Sequence, residues 1–188
     1  MDVKDCQTGT KVLAVSADGE LVWSPVTFHF HKPNNRQSPG IELTLESGSR
    51  VTVTPEHEVL VASLCEVEDI KVLDSIPASE VLVGMCLFRA KPHGIQVEKV
   101  MGIRNTIMIG LYSPVTDAGT LVVNNVSLSA YSFMRHRESH RLFSNYYKVS
   151  KRQQQVIQDN FLIADEEGKL AQWLGVYGIG YEPKFEAC

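Results

Sequence analysis

Residues 41–54 read Ile-Glu-Leu-Thr-Leu-Glu-Ser-Gly-Ser-Arg-Val-Thr-Val-Thr, and this stretch decides the fold class. Apolar and polar side chains alternate on both sides of Ser47-Gly48, which is the period-two pattern of half-buried strands. A Ser-Gly pair between two such runs favours a tight turn. The stretch therefore predicts an antiparallel β-hairpin.

Similar runs continue in both directions from the hairpin, across the first 133 residues. They are short, rich in branched and aromatic residues, and cover 11–16, 20–23, 26–30, 41–46, 50–54, 58–62, 85–90, 97–109, 120–123 and 127–133. Turn-forming residues separate them, as at Asp18-Gly19 and at 117–119. Many short strands without helical periods between them predict a mainly β fold, a sandwich or a barrel-like structure.

The sequence changes character after Phe133, where long polar side chains become frequent. Apolar residues at helical spacings of three and four recur in two places, at Leu142, Phe143, Tyr146 and Tyr147, and at Leu170, Trp173, Leu174 and Tyr177. Such faces are usually buried against a core. We expect residues 134–188 to form a mostly helical appendage to the β domain.

Composition excludes several classes of protein. The chain has 188 residues, of which 44% are hydrophobic and 21% charged, and its net charge is −4. These values predict a folded domain rather than a disordered chain. No basic face indicates nucleic acid as a partner. No apolar run approaches the roughly 20 residues that span a bilayer, and residues 1–5 contain no apolar stretch of a signal peptide.

The four cysteines are Cys6, Cys65, Cys86 and Cys188. They show neither a CxxC spacing nor histidines at the spacing of a zinc site, so neither a metal nor another cofactor is predicted. Their number leaves the redox compartment open. A monomer is expected.

Two sequence elements offer chemistry. Cys6 precedes the first strand-like run, although a lone cysteine is more often a small buried apolar residue than a nucleophile. Thr54-Pro55-Glu56-His57 follows the strand at 50–53, and the proline allows a sharp turn that aims Thr54 and His57 at one point. There an imidazole can protonate the nitrogen of a scissile peptide. Each element alone is weak evidence.

A third element makes the pattern specific. Residues 111–126 read Leu-Tyr-Ser-Pro-Val-Thr-Asp-Ala-Gly-Thr-Leu-Val-Val-Asn-Asn-Val, and Ser129-Ala130-Tyr131 follow. With Cys6 and the TxxH box in the same order, this segment resembles the closing part of the autoprocessing domain of Hedgehog proteins, a domain of the Hint type. Residues 24–33 are also similar to nematode Hedgehog-related proteins. The resemblance covers residues 6 to about 133.

The resemblance implies a mechanism residue by residue. Cys6 would attack the carbonyl of Asp5 and form a thioester by an N-to-S acyl shift. Thr54 and His57 would polarise the scissile amide and protonate its nitrogen. A second nucleophile would then release the upstream segment of the same polypeptide. In Hedgehog proteins that nucleophile is cholesterol, activated by an Asp; here His31 takes the place of that Asp, so another alcohol or water is an alternative to a sterol.

Further departures and matches refine this interpretation. Ala130 stands where Hedgehog proteins have a cysteine, which leaves the acyl shift itself intact. The chain contains no His-Asn pair, which intein splicing requires, so we predict cleavage at one end. The appendage corresponds to the sterol-recognition region of Hedgehog proteins. Its lipid-binding candidates are Phe143, Tyr146, Tyr147, Trp173, Leu174 and Tyr177.

The resulting domain prediction has three parts: an upstream remnant at 1–5, a Hint domain at 6–133 and a lipid-recognition-like appendage at 134–188. The resemblance also implies a precursor that passes through the endoplasmic reticulum and is secreted. Two alternatives remain open. The chain could be a catalytically degenerate Hint module that binds lipid or protein, or a cysteine hydrolase that uses Cys6 and His57 on separate substrates.

Overall fold

The structure is a computed structural model that describes residues 3–29, 37–62, 64–65 and 74–131. The chain divides into two compact units, Met1–Ser144 and Asn145–Cys188, and the described residues all lie in the first. The predicted helical appendage and the exact boundary at residue 133 lie outside the described residues and stay predictions.

Eleven strands form the described part. They are β1 (Lys11–Val15), β2 (Leu21–His29), β3 (Gln37–Leu45), β4 (Arg50–Val53), β5 (Glu58–Ala62), β6 (Asp74–Pro77), β7 (Cys86–Lys91), β8 (Gly94–Ile109), β9 (Pro114–Thr116), β10 (Thr120–Val123) and β11 (Val126–Ser129). Two single turns of 3₁₀ helix, Val3–Asp5 and Ala78–Glu80, are the helical elements among these residues. The prediction of a mainly β fold is confirmed.

The strands build two antiparallel sheets. One has the order β1-β2-β9, and the other has the order β10-β11-β5-β7-β8-β3-β4, with β6 paired to β5 and a further pairing of β11 with β7. The predicted hairpin is β3–β4, with Leu43 opposite Val51. At its turn Gly48 has a φ of 83°, a conformation that glycine adopts without strain.

Two features of the strands differ from the prediction. The runs predicted at 20–23 and 26–30 both overlap one strand, β2 (Leu21–His29), which continues through Pro25. Strands β6 and β9 were not predicted, because both are short and contain a proline at one end, Pro77 and Pro114. Such segments carry too few residues for a periodic pattern to be recognised.

The sheets meet at a core and at a hydrogen-bonded contact. Val15, Leu60 and Phe88 pack together fully buried, one each from β1, β5 and β7. The hydroxyl of Thr120 accepts a hydrogen bond from the Val15 amide at 2.8 Å and donates one to the Val15 carbonyl at 2.7 Å. Thr120 therefore satisfies both backbone groups of Val15 that face away from β2.

A buried ion pair crosses the larger sheet. Arg89 Nη1 on β7 lies 3.0 Å from Glu98 Oε1 on β8, and only 7% of the Glu98 side chain is exposed. The other carboxylate oxygen accepts a hydrogen bond from the backbone amide of Ser47, at the β3–β4 turn. Burial alone would raise the pKa of Glu98, but the bonds to Ser47 and Arg89 and the positive charge of Arg89 hold this pKa below its usual value. One carboxylate thus links two strands and a turn.

A disulfide joins Cys65, three residues after β5, to Cys86 at the start of β7. The Cα atoms are 5.5 Å apart, within the usual range for such bonds. Ala62 at the end of β5 already lies opposite Cys86 in the sheet. The disulfide therefore ties the chain that leaves β5 to the neighbouring strand.

Candidate active site

The TxxH box forms a tight turn between β4 and β5. The His57 amide donates to the Thr54 carbonyl at 3.1 Å, and the His57 carbonyl accepts a hydrogen bond from the Ala78 amide at 2.9 Å. The Pro55 carbonyl in the same turn accepts one from Ser79. These bonds bring Thr54 and His57 together, as the sequence predicts, and fix the backbone of His57 on both sides.

The His57 ring contacts the end of β11. Its Nε2 lies 3.0 Å from the carbonyl oxygen of Ser129. A carbonyl can only accept, so Nε2 carries the hydrogen and Nδ1 presents its lone pair. Burial lowers the pKa of His57 to about 4, and the hydrogen bond to Ser129 only partly opposes this shift. The imidazole is therefore neutral at pH 7, with a base at Nδ1 and a donor at Nε2.

The Ser129-Ala130-Tyr131 segment, which we call the Ser129 wall, forms the side of the site that the His57 ring contacts. The Ala130 amide donates to Gly119 at 2.9 Å, and the Glu58 amide donates to the Tyr131 carbonyl at 3.3 Å. All three residues of the segment are buried. Burial, together with the negative charge of Asp117, raises the pKa of the Tyr131 hydroxyl. Two motifs that are 72 residues apart, measured from His57 to Ser129, thus meet at one site.

Cys6 lies beside the end of β2. It follows the Val3–Asp5 turn, its amide donates to the Val3 carbonyl at 3.3 Å, and its half-buried side chain takes no part in a disulfide. The imidazole of His29 donates a hydrogen bond to the Cys6 carbonyl; burial lowers the pKa of His29 and this bond opposes the shift. The backbone of Cys6 is thus held by a histidine that the motif comparison did not include.

His29 does not lie on an edge strand. β2 is the central strand of its sheet, and His29 lies opposite Pro114 of β9. The pairing shifts by one residue between Val26 and Phe28, and such a bulge redirects the side chains that follow it. His29 is half-buried as a result.

Cys6 and the turn at 117–119 contact different residues of β2. The Cys6 carbonyl is bound by His29. The Asp117 amide donates to the Pro25 carbonyl, and Gly119, two residues after Asp117, accepts the bond from the Ala130 amide. Pro25 and His29 are separated by four residues, roughly 13 Å along a strand. The hydrogen bonds described here join His57 to Ser129 and Cys6 to His29.

Several predicted residues lie outside the described part of the chain. They are His31, the lipid-binding candidates Phe143, Tyr146, Tyr147, Trp173, Leu174 and Tyr177, and Cys188. Among the described residues, no group of three or more His, Cys, Asp or Glu side chains could hold a metal ion. Within the same ranges, no helix has the length and apolar character needed to cross a bilayer.

Comparison with solved structures defines the class of fold. A DnaB intein from Synechocystis sp. PCC 6803 superposes with a TM-score of 0.56 at 12% sequence identity, over 70% of this chain and 86% of that intein. The structure is therefore a mainly β domain with the fold of inteins. At this level of identity the likeness shows the fold alone.

Comparison with sequences gives the family. A family model described as the Hint module matches residues 1–176, so the chain belongs to that family. Warthog protein 8 of Caenorhabditis elegans is 30% identical over 135 residues, which make up 69% of this chain and 24% of that protein. Protein hedgehog of Drosophila virilis is 29% identical over 126 residues, with 66% and 25% covered. The chain is a Hint domain of the Hedgehog type and spans about a quarter of these relatives.

Proposed function

We propose that this domain cleaves a peptide bond of its own polypeptide by an acyl shift from nitrogen to sulfur, with His57 as the proton carrier. The single observation that carries the proposal is the 3.0 Å contact between His57 Nε2 and the Ser129 carbonyl, which joins the turn at 54–57 to the end of β11. Membership of the Hint family and the likeness to Hedgehog proteins support the same activity. The more specific form of this proposal is transfer of the upstream segment to a sterol or another lipid alcohol.

The chemistry follows from the two ring nitrogens of His57. In the first step a thiol sulfur bonds to the scissile carbonyl carbon, and Nδ1 can take the thiol proton. The carbon–nitrogen bond then breaks, and the imidazolium returns a proton to the departing amine. Because burial disfavours the imidazolium, taking the thiol proton is uphill, whereas returning a proton to the departing amine is downhill. Thr54, in the same turn, would bind the carbonyl of the scissile peptide.

A second nucleophile then resolves the thioester. The oxygen of an alcohol or of water bonds to the same carbon, the thiolate departs, and the upstream segment leaves as an ester or as a carboxylate. His31 is the proposed base for this step, and the aromatic residues of the appendage are the proposed lipid contacts. A route through the secretory pathway belongs to the same proposal.

The attacking thiol has two assignments. Cys6 is the first, because the resemblance places it there and because it is the cysteine among the described residues that forms no disulfide. A cysteine from a preceding segment of a longer protein is the second. The relatives are about three times as long as this chain, so a longer protein is the source considered for such a cysteine.

The test uses a reporter protein fused upstream of Met1, compared with the longer natural precursor. We expect the cleavage rate of whichever protein is active to fall about 100-fold or more in His57→Ala. Cys6→Ala separates the assignments: it abolishes cleavage if Cys6 is the nucleophile, and it leaves the precursor active if an upstream cysteine is. His93→Gln, at an exposed turn, is the matched control.

Products and turnover distinguish the remaining alternatives. Hydroxylamine should speed release, because it intercepts a thioester. The intact mass of the upstream fragment shows either an added sterol or a free carboxylate. If both proteins stay uncleaved with hydroxylamine while the domain is folded, self-cleavage is refuted in favour of a binding module. Repeated turnover of an added substrate would identify a hydrolase acting on separate molecules.

A further inference from the structure

We propose that Asn125 is an acceptor of an N-linked glycan. Residues Asn125-Val126-Ser127 fit the Asn-x-Ser/Thr acceptor pattern with no proline in the middle. No other asparagine in the chain has Ser or Thr two residues later. The inference is independent of the cleavage chemistry and requires only that the chain enters the secretory pathway.

The fold presents Asn125 at the tip of a hairpin. Asn124 and Asn125 form the turn between β10 and β11, with φ values of 50° and 66°, and both are exposed. The Asn124 side chain donates a hydrogen bond to the Arg50 carbonyl at 2.9 Å. Asn125 contributes its backbone carbonyl, which accepts a bond from Ala90. A sugar on the exposed Asn125 side chain therefore requires no change in the backbone of the turn.

The disulfide indicates a suitable compartment. Cys65 and Cys86 are bonded, and such bonds persist in oxidising compartments such as the lumen of the endoplasmic reticulum. N-linked sugars are attached in that lumen and mark surface loops of secreted proteins. The acceptor pattern and the disulfide are separate features of the chain that point to one compartment.

The burial of Ser127 determines when the sugar can be attached. The acceptor pattern is recognised through the hydroxyl at its third position, and Ser127 on β11 is 0% exposed. The Ser127 hydroxyl also has no hydrogen-bond partner in the part of the chain that the structure describes. Attachment must therefore precede the packing of β11, while Asn125 remains exposed after folding and can carry the sugar.

The glycan would not block the candidate active site. Val123 lies opposite Val126 at the turn, and Thr120 lies opposite Ser129 at the other end of the β10–β11 pair. Asn125 and Ser129 are separated by four residues, roughly 13 Å along the strand. We expect glycosylated and unglycosylated forms of an active precursor to cleave at rates within about twofold of each other.

The experiment expresses the full chain behind a secretion signal in eukaryotic cells and measures its intact mass before and after amidase treatment. We expect one removable glycan, with Asp at position 125 after its removal. Asn125→Gln and Ser127→Ala should lose the glycan. Ser127→Thr should keep it, as should the control Asn105→Gln, whose exposed asparagine is outside the pattern.

Folding is read separately from the sugar. Ser127→Ala removes a buried hydroxyl that has no partner among the described residues, and the variant should form the Cys65–Cys86 disulfide as the parent does. The proposal is overturned if disulfide-bonded wild-type chain from the lumen carries no glycan, or if Asn125→Gln retains it. Efficient modification of chain that has already folded would overturn the proposed timing. Self-cleavage has its own readout and can fail without affecting these results.

Discussion

Burial lowers the pKa of His57 to about 4, whereas an unfolded histidine titrates near 6.5. Between these values the unfolded chain binds a proton that the folded chain does not. Acid therefore favours unfolding, and the loss of stability begins below about pH 6.5 and levels off near pH 4. The shift corresponds to at most about 3 kcal/mol at this one residue.

Urea unfolding at pH 7 and pH 4.5 measures this dependence. We expect His57→Gln to show a clearly smaller difference between the two pH values, because glutamine does not titrate; His29, whose pKa burial also lowers, keeps its own contribution. His93→Gln, at an exposed turn, should keep it. Equal pH dependence in the parent and in His57→Gln would show that the imidazole is not buried as described.

Site residues could be predicted from the sequence only where a motif marks them. Thr54, His57 and the Ser129–Tyr131 segment were recognisable by order and spacing, and the structure brings them together. His29 was not recognised, because a one-residue bulge in β2 determines the direction of its side chain. The alternation of polar and apolar residues in a sequence does not reveal where such a bulge occurs. The location of Cys6 depends on that same long-range pairing.

At the scale of the elements, Thr120 connects β10 to β1 through two hydrogen bonds to Val15. Thr120→Val preserves the shape of the side chain but leaves a buried amide and a buried carbonyl without a partner. We expect it to lower the free energy of unfolding by about 2–4 kcal/mol. Thr120→Ser keeps the hydroxyl and should cost clearly less, as measured by urea unfolding at pH 7. Equal losses in both variants would assign the effect to packing.

The two ion pairs on β8 give a second matched comparison. Glu98→Gln breaks the pair with Arg89, whose side chain is 22% exposed, and weakens the bond to Ser47, so we expect a loss of about 1.5–3 kcal/mol. Glu42→Gln breaks the pair with Arg104, whose side chain is 68% exposed, and should cost less than about 1 kcal/mol.

The acid dependence of these variants is a further check. The pKa of Glu98 is lowered by folding, so its contribution is complete above the unfolded value near 4.3 and is lost as the pH falls through the folded value. The stabilities of the parent and Glu98→Gln should therefore converge in acid. A constant difference down to the lowest pH would contradict this assignment.

Elements could be predicted where the pattern is local. The hairpin at 41–54 and strands β5 and β10 follow their periodic runs closely. The division of the eleven strands between two sheets could not be predicted from the sequence, because pairings such as Val26 with Thr116 join residues far apart in the chain. Local propensity carries no information about such partners.

For the whole molecule, the Cys65–Cys86 bond closes a loop with a sequence separation of 21 residues. A loop of this size predicts a stabilisation of about 3 kcal/mol, mainly by restricting the unfolded chain. We expect the urea midpoint of the wild-type chain to fall accordingly on reduction. A Cys65→Ser, Cys86→Ala double variant should be insensitive to reductant, and Cys6→Ser should respond as the parent does.

The same bond limits which reagents and hosts give an interpretable cleavage assay. Dithiothreitol is a common choice for trapping an acyl–enzyme intermediate, but it would also reduce the Cys65–Cys86 disulfide. That disulfide lies beside β5, the strand that directly follows His57. In the reducing bacterial cytoplasm the disulfide would not form. An inactive preparation obtained either way would report a loosened scaffold rather than a missing catalyst, so periplasmic production and an oxygen- or nitrogen-based trapping agent are the sound choice.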